Sequence, residues 1–410
     1  MTAGFFKRTI RDVPLEGATV LVRADYNVPM KKDGTIDDDL RIRASLPTLT
    51  YLLSRRCKVV VISHLGRPEG RDASQSLAPV AERLGELIGA PVAYAEDCIG
   101  DVAYQAVKQA RPGSIIMLEN LRFYPEEEAN DPGFAEKIAK ASQARYFVQD
   151  GFGVVHRAHA STDAITHFIP SVAGLLLEKE VKTISAAMER PERPLVAVLG
   201  GAKVSDKIQV IEQFVGVADT IVIGGAMANT LLAYKGFNMA SSLVEHDQQE
   251  VLDRIYKAAA KKVGADNVDS FILLPTDVAV AQSTDQAEPR TAVAVSDISE
   301  GMMALDIGDD SIESMVKVIQ AAKTVIWNGP LGYSEVPAFA HGSARLALAL
   351  ATQPGTLSIV GGGDTADFVL KWDVAEGASF GHVSTGGGAG LDLMAGKKLP
   401  GVESLLDAAK

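Results

Sequence analysis

Short apolar runs rich in β-branched residues alternate with longer stretches of helical periodicity along the 410-residue chain. ATVLVRA (18–24), KVVVIS (58–63), SIIMLE (114–119) and RYFVQ (145–149) predict buried strands, and the spacing of apolar positions predicts helices over 41–55, 77–89 and 133–142. From residue 195 the alternation resumes with LVAVLG (195–200), TIVIG (220–224), SFILL (270–274), TVIWN (324–328) and LSIV (357–360). Near-continuous apolar strands separated by helices indicate parallel sheets covered on both faces. The fold class is therefore α/β, twice over. Between the halves, SVAGLLLEKEVKTISAAMER (171–190) has helical spacing and stops before Pro191 and Pro194, which predicts a linking helix and hinge. The expected domains are 1–170 and 191–401, and VESLLDAAK (402–410) reads as a short amphipathic helix.

In open parallel sheets, ligands bind beyond the carboxyl ends of the strands. The chemically suggestive stretches all fall there. In the first half these are RADYN, SHLGR, ENLRF and QDGFGVVHRAH; in the second they are GGAKVSDK, GGAMANT, NGPLGYSE and GGGDTADF. The first set brings arginine and histidine, the second glycine. Two anions handled by two sheets is the simplest reading.

Charge sharpens that reading. The net charge is −12, which argues against a general nucleic-acid binder. Residues 1–170 are nearly balanced at −1, whereas residues 171–410 carry −11, and 14 of the 19 arginines lie in the first stretch. Arginine presents a planar fork that grips carboxylates and phosphates through two hydrogen bonds. No apolar run reaches the roughly 18 residues of a membrane span, and MTAGFFKRTIRDVP has no apolar signal core, so the expected setting is the cytoplasm. Cys57 and Cys98 form no C-x-x-C pair and are expected to be free thiols.

LGGAKVSDK (199–207) misses the P-loop pattern, because Lys203 follows an alanine. VGGGDTADF (360–368) places three glycines before Asp364 and Thr365 at a helix start, where backbone N–H groups and the helix dipole favour phosphate. Asp364 could cap that helix or hold a phosphate-bound Mg²⁺. GHVSTGGGAG (381–390) repeats the device. His156 and His159 resemble a metal pair, but no third ligand of suitable spacing accompanies them, which favours anion binding over zinc. A dinucleotide-binding dehydrogenase is the first alternative. It requires G-x-G-x-x-G, and GGGDTAD lacks the third glycine.

Together VRADYNVP, SHLGRP, LENLRFYPEEE, GFGVVHRAHAS, GGAKVSDK, WNGPLG, GGGDT and GHVSTGGGA resemble the phosphoglycerate kinase family, in order, from about residue 5 to 410. The resemblance implies two Rossmann-like parallel-sheet domains joined by a linking helix, with the active site in the cleft between them. It implies phosphoryl transfer between 1,3-bisphosphoglycerate and Mg-ADP, with 3-phosphoglycerate and Mg-ATP as the other pair. It also implies a monomer with no nucleic-acid or membrane partner, and a C-terminal helix that packs back on the first domain. By similarity, Asp25 and Asn27 contact the glycerate, and Arg41, His64, Arg67, Arg122 and Arg157 form a basic patch around its anionic groups. Lys203, Lys207, Asn328, Glu335, Gly361, Gly362, Gly363, Asp364 and Thr365 would bind nucleotide, Glu335 towards the ribose and Asp364 on Mg²⁺. Arg41, Lys207, Gly386 and Gly387 would act on the transferring phosphoryl group, with Gly388 beside them. A catalytically dead scaffold of the same fold is the second alternative; it predicts loss of Arg41, Lys207 or Asp364, and all are present. The chain departs from the family pattern at Gln149, Gly151, Ala226, Ser334 and Gly390, none of which removes a charge from the site. Gly390 is expected to leave the helix start beside the phosphoryl site less well capped.

Overall fold

The computed structural model describes residues 5–285 and 289–408. By contacts the chain divides into two units, one made of residues up to Lys182 together with those from Lys397 onward, the other of Thr183–Gly396. The first contains β1 (Thr19–Arg23), β2 (Lys58–Ile62), β3 (Val92–Ala95), β4 (Ile115–Leu118), β5 (Tyr146–Gln149) and β6 (Ser171–Ala173). These form one parallel sheet in the order β3-β4-β2-β1-β5-β6. Helices α1 (Leu40–Ser54), α2 (Ala78–Ile88), α3 (Gly100–Gln109) and α4 (Pro132–Ser142) connect the strands, and α5 (Leu175–Glu189) follows β6.

The strands read as unbroken apolar runs because both faces are buried. Val20, Val22, Val59 and Val61 pack with Leu49 and Leu52 of α1 and Val80 and Leu84 of α2. Leu21, Val60, Ile62 and Phe147 pack on the other side with Phe134 and Ile138 of α4. The polar residues are thereby driven to the strand ends, where the backbone leaves the sheet.

The second unit contains β7 (Leu195–Leu199), β8 (Thr220–Ile223), β9 (Ile272–Leu273), β10 (Asp277–Ala281), β11 (Thr291–Ala294), β12 (Met303–Ile307), β13 (Thr324–Asn328), β14 (Leu357–Gly361) and β15 (His382–Val383). Its parallel sheet has the order β15-β14-β13-β7-β8-β9, and β11-β10-β12 make a small antiparallel sheet. Its helices are α6 (Ile208–Val217), α7 (Gly225–Tyr234), α8 (Gln249–Val263), α9 (Val268–Phe271), α10 (Asp309–Ala321), α11 (His341–Ala351), α12 (Gly363–Trp372) and α13 (Gly388–Met394). A last short helix, α14 (Pro400–Glu403), belongs to the first unit.

Three expectations from the apolar pattern are corrected. Residues 171–173 are not helical: they form β6, pairing in parallel with Phe147–Gln149, and helix begins only at Leu175. Of residues 270–274 the first two end α9, the next two form the short strand β9, and Leu274 belongs to neither. The expected helix over 402–410 does not extend beyond its first two residues among those described, and 409–410 lie outside the described residues. Helix α14 ends at Glu403, and Lys7 Nζ donates to the carbonyls of Glu403 (2.7 Å) and Leu405 (2.9 Å), which a continuing helix would use itself. The chain then runs extended, with Asp407 bridged to Lys7. Both cysteines are buried and free, and no described helix is long and apolar enough to cross a membrane.

Candidate active site

In the first unit the sequence-predicted residues gather at the carboxyl ends of β1, β2 and β4. Arg41, in the first turn of α1, donates through Nη1 to Asp25 Oδ1 (3.2 Å) and to the carbonyl of Asn27 (2.9 Å). Asn27 Oδ1 accepts from the N–H of Gly66 (2.8 Å), whose carbonyl accepts from Arg122 Nη1 (2.7 Å). One chain of hydrogen bonds thus links the RADYN, SHLGR and ENLRF loops. Arg67 and Arg157 are exposed beside it, and both lower the affinity of Arg122 for its proton, after burial itself.

His64 differs from its expected part in a basic patch. It is buried, and its Nδ1 lies 3.2 Å from Nη2 of Arg23. Arginine can only donate, so Nδ1 accepts and the ring proton sits on Nε2. Burial first, then the charges of Arg23, Arg122 and Arg41, hold His64 well below the usual imidazole range. His64 is a neutral donor, not a cation.

Arg23 was not among the predicted site residues, although it sits inside VRADYN. Its side chain is 1 % exposed, donates through Nε to Ser161 Oγ (2.7 Å), and lies 3.9 Å from buried Glu127. Glu127 accepts from the N–H (3.0 Å) and hydroxyl of Ser161 and stands 4.0 Å from His159 Nδ1. Burial pushes His159 down to about 4, so HRAHAS supplies a neutral imidazole over a buried ion pair. Among the described residues no group of three or more His, Cys, Asp or Glu could hold a metal. The one available sequence signal was an arginine as last residue of an apolar strand. Glu127 gave none, because it hides in a run of three glutamates.

In the second unit the backbone makes the site. Lys207, at the start of α6, donates through Nζ to the carbonyls of Gly200 (2.6 Å) and Asn328 (2.9 Å), the ends of β7 and β13. Burial lowers its pKa to about 8, opposed by Asp364 and Asp206. Gly329 has φ of 102°, and a Cβ there would sit 2.2 Å from the Gly200 carbonyl oxygen and 2.5 Å from Lys207 Nζ. Only glycine allows that approach. Thr365 Oγ1 accepts from the Gly329 N–H (2.7 Å), so the turns after β13 and β14 are tied together. Asn328 is buried, and its Nδ2 has no hydrogen-bond partner among the described residues. A Cβ on Gly361 or Gly362 would lie 3.4 Å from that nitrogen. A donor held against a glycine turn with nothing to bond is suited to an incoming acceptor.

Helix α12 begins after Gly362 with no side-chain cap, so Asp364 is an exposed carboxylate in the first turn and does not serve as its N-cap. Gly386 donates its N–H to Ser384 Oγ (3.1 Å), and Gly387 precedes α13 with φ of 46°. Lys203 and Glu335 lie exposed at the surface, outside the hydrogen-bonded cluster around Lys207.

Arginine clustered on one parallel sheet, and glycine and lysine on another, make a two-unit α/β protein with the chemistry to bind an anion on each unit. Comparison with known proteins narrows the class. The family model described as phosphoglycerate kinase matches residues 10–397. The chain is 46 % identical over 402 residues to the phosphoglycerate kinase of Moorella thermoacetica, covering 98 % of this chain and 99 % of that one. It is 48 % identical over 407 residues to that of Chloroflexus aurantiacus, with the same coverage. The solved phosphoglycerate kinase structure from Coxiella burnetii superposes with a TM-score of 0.83 at 34 % identity, over 97 % of this chain and 98 % of that one. The chain belongs to the phosphoglycerate kinase family.

Proposed function

We propose that the chain catalyses reversible phosphoryl transfer from 1,3-bisphosphoglycerate to Mg-ADP, giving 3-phosphoglycerate and Mg-ATP. What supports this most is the family match over residues 10–397, with Arg41, Lys207 and Asp364 all present. Asp25, Asn27 and His64 Nε2 hydrogen-bond the glycerate, and Arg67, Arg122 and Arg157 take its anionic groups. Asn328 and the turns at Gly361–Gly363 and Thr365 hold the nucleotide phosphates, with Lys203 beside them and Glu335 on the ribose.

The chemistry asks little of proton transfer. The carboxylate that attacks ATP, or leaves in the ATP-forming direction, has a pKa of about 3.5–4 and is ionised at neutral pH. No general base is required. Catalysis consists of alignment and of neutralising charge on the equatorial phosphoryl oxygens. Arg41 from one unit, with Lys207 and the N–H groups of Gly386 and Gly387 from the other, perform that neutralisation. The acceptor and donor are held by different units, and transfer requires their reacting atoms to lie about 3–3.5 Å apart.

The magnesium ion arrives with the nucleotide and shields its phosphate charge. Mg²⁺ typically takes one or two carboxylates, substrate oxygens and waters. A single exposed carboxylate at Asp364 fits that demand. Asp364→Asn should weaken Mg-nucleotide about tenfold or more while metal-free nucleotide changes little; equal weakening in calorimetric titrations with and without Mg²⁺ would remove Asp364 from the metal. The reading includes a cytoplasmic monomer, and sedimentation checks the oligomeric part. A coupled assay with 3-phosphoglycerate and Mg-ATP tests the whole: folded protein without turnover would overturn it.

A further inference from the structure

Glu127 and Glu128 are neighbours in FYPEEEAN, yet they have opposite surroundings. Glu127 is fully buried beneath Arg23. The Glu128 side chain is 54 % exposed, and its Oε1 lies 2.9 Å from Nη2 of Arg122, whose own side chain is 5 % exposed. Arg122 is fixed in place: its backbone N–H is held by Asn120 Oδ1 (3.0 Å) and its Nη1 by the Gly66 carbonyl (2.7 Å). Its Nε is buried with no hydrogen-bond partner among the described residues. Nε and Nη2 form the remaining edge of the guanidinium, and Glu128 takes its Nη2 end. Around this pair Arg67 and Arg157 add positive charge, while Glu128 is the carboxylate that favours the Arg122 cation most.

We propose that Glu128 is an internal competitor for the anion that Arg122 binds, displaced when substrate arrives. This rests on the reading that Arg122 contacts the glycerate substrate. Binding then exchanges one ion pair for another, so a ligand carrying a single carboxylate gains little. A phosphate of charge about −1.5 to −2 gains more. Glu128 would thus raise selectivity for phosphorylated acids at some expense in affinity. An ion pair of this exposure shifts binding by about two- to fivefold.

The two roles open to Glu128 predict opposite signs. If it competes, Glu128→Gln lowers both the KM and the calorimetric Kd for 3-phosphoglycerate about two- to fivefold, with kcat within about twofold. If it merely orients Arg122, the same variant raises KM. Glu126→Gln removes an equal charge from an exposed neighbour and controls for the general field. Arg122→Ala tests the underlying reading by raising KM. The proposal stands if KM falls in Glu128→Gln, stays near normal in Glu126→Gln, and rises in Arg122→Ala. A rise or no change in Glu128→Gln, or an equal fall in both glutamate variants, overturns it while the Arg122 assignment survives. An unchanged KM in Arg122→Ala overturns both.

Discussion

Arg41 and Lys207 bring positive charge to corresponding places in the two units, but they are held in contrasting ways. Arg41 is partly exposed and reaches by its side chain to Asp25 and to the Asn27 carbonyl. Lys207 is pinned between two carbonyls at the ends of β7 and β13, in a slot that only glycine at 329 leaves open. The first site depends on long side chains that bond across its loops, with His64 held against a buried layer of Arg23, Glu127 and Ser161. The second depends on main-chain turns that bring N–H groups and one lysine together. Side-chain sites tolerate backbone shifts and fail when a side chain is lost; main-chain sites behave the other way round.

The sharpest test of that contrast is Arg41→Ala. A group acting on transition-state charge affects turnover more than ground-state binding. We expect kcat to fall about a hundredfold or more, with nucleotide affinity near normal by calorimetry. An unchanged kcat with a raised nucleotide KM would remove Arg41 from the phosphoryl group.

Gly329→Ala probes the other side. Its Cβ would overlap a backbone carbonyl at a φ that side chains rarely adopt, so the turn must move. We expect nucleotide KM to rise about tenfold and stability to drop by about 1–3 kcal/mol, while the Kd for 3-phosphoglycerate holds. A nucleotide site that survives this change is not built on the main chain.

Ionisation separates the units more gently. Guanidinium groups stay charged throughout the accessible pH range, whereas Lys207, lowered to about 8 by burial, is a cation below that pH and neutral above it. Nucleotide affinity of the free enzyme should therefore weaken severalfold between about pH 7.5 and 9. Affinity for 3-phosphoglycerate should stay flat over the same range, since its phosphate has finished titrating near pH 6. Parallel titrations check this. Two flat profiles would place Lys207 away from the phosphates.

These differences also decide what could be read from the chain. The strands were legible because both sheet faces are buried, and the glycine turns because a site made of main chain leaves its mark in glycine. Arg41 and Lys207 were legible through motif context. Arg23 and Glu127 were not, since a buried ion pair joins residues 104 positions apart and neither position looks apolar. The antiparallel strands β10–β12 also escaped: β11 is largely exposed, so its pattern is not that of a core strand. Residues 171–173 fit strand and helix spacing equally, and the pairing with β5 decides.

Gly390 gives the smallest effect and corrects a physical expectation. The sequence suggested a missing helix cap beside the phosphoryl site. The residue before α13 is Gly387, so Gly390 lies at the third helical position, where it cannot be the N-cap. What glycine costs there is backbone entropy, about 0.5–1 kcal/mol relative to alanine. A Cβ on Gly390 would meet Ser384 Oγ at 3.8 Å and Ile184 Cδ1 at 3.9 Å, ordinary contact distances, and its φ is not left-handed. Gly390→Ala should therefore stabilise the second unit by about 0.4–1 kcal/mol, a rise in Tm of about 1–4 °C. The side chains a Cβ there would meet are those of Ser384 and Ile184, at ordinary contact distance, so the turn at Gly386 and Gly387 need not move and kcat should stay within about twofold. Calorimetric unfolding, with turnover measured on the same sample, reads both. A lowered Tm would mean that the space beside Ser384 is already needed, and that this turn, like the one at Gly329, depends on glycine for more than flexibility.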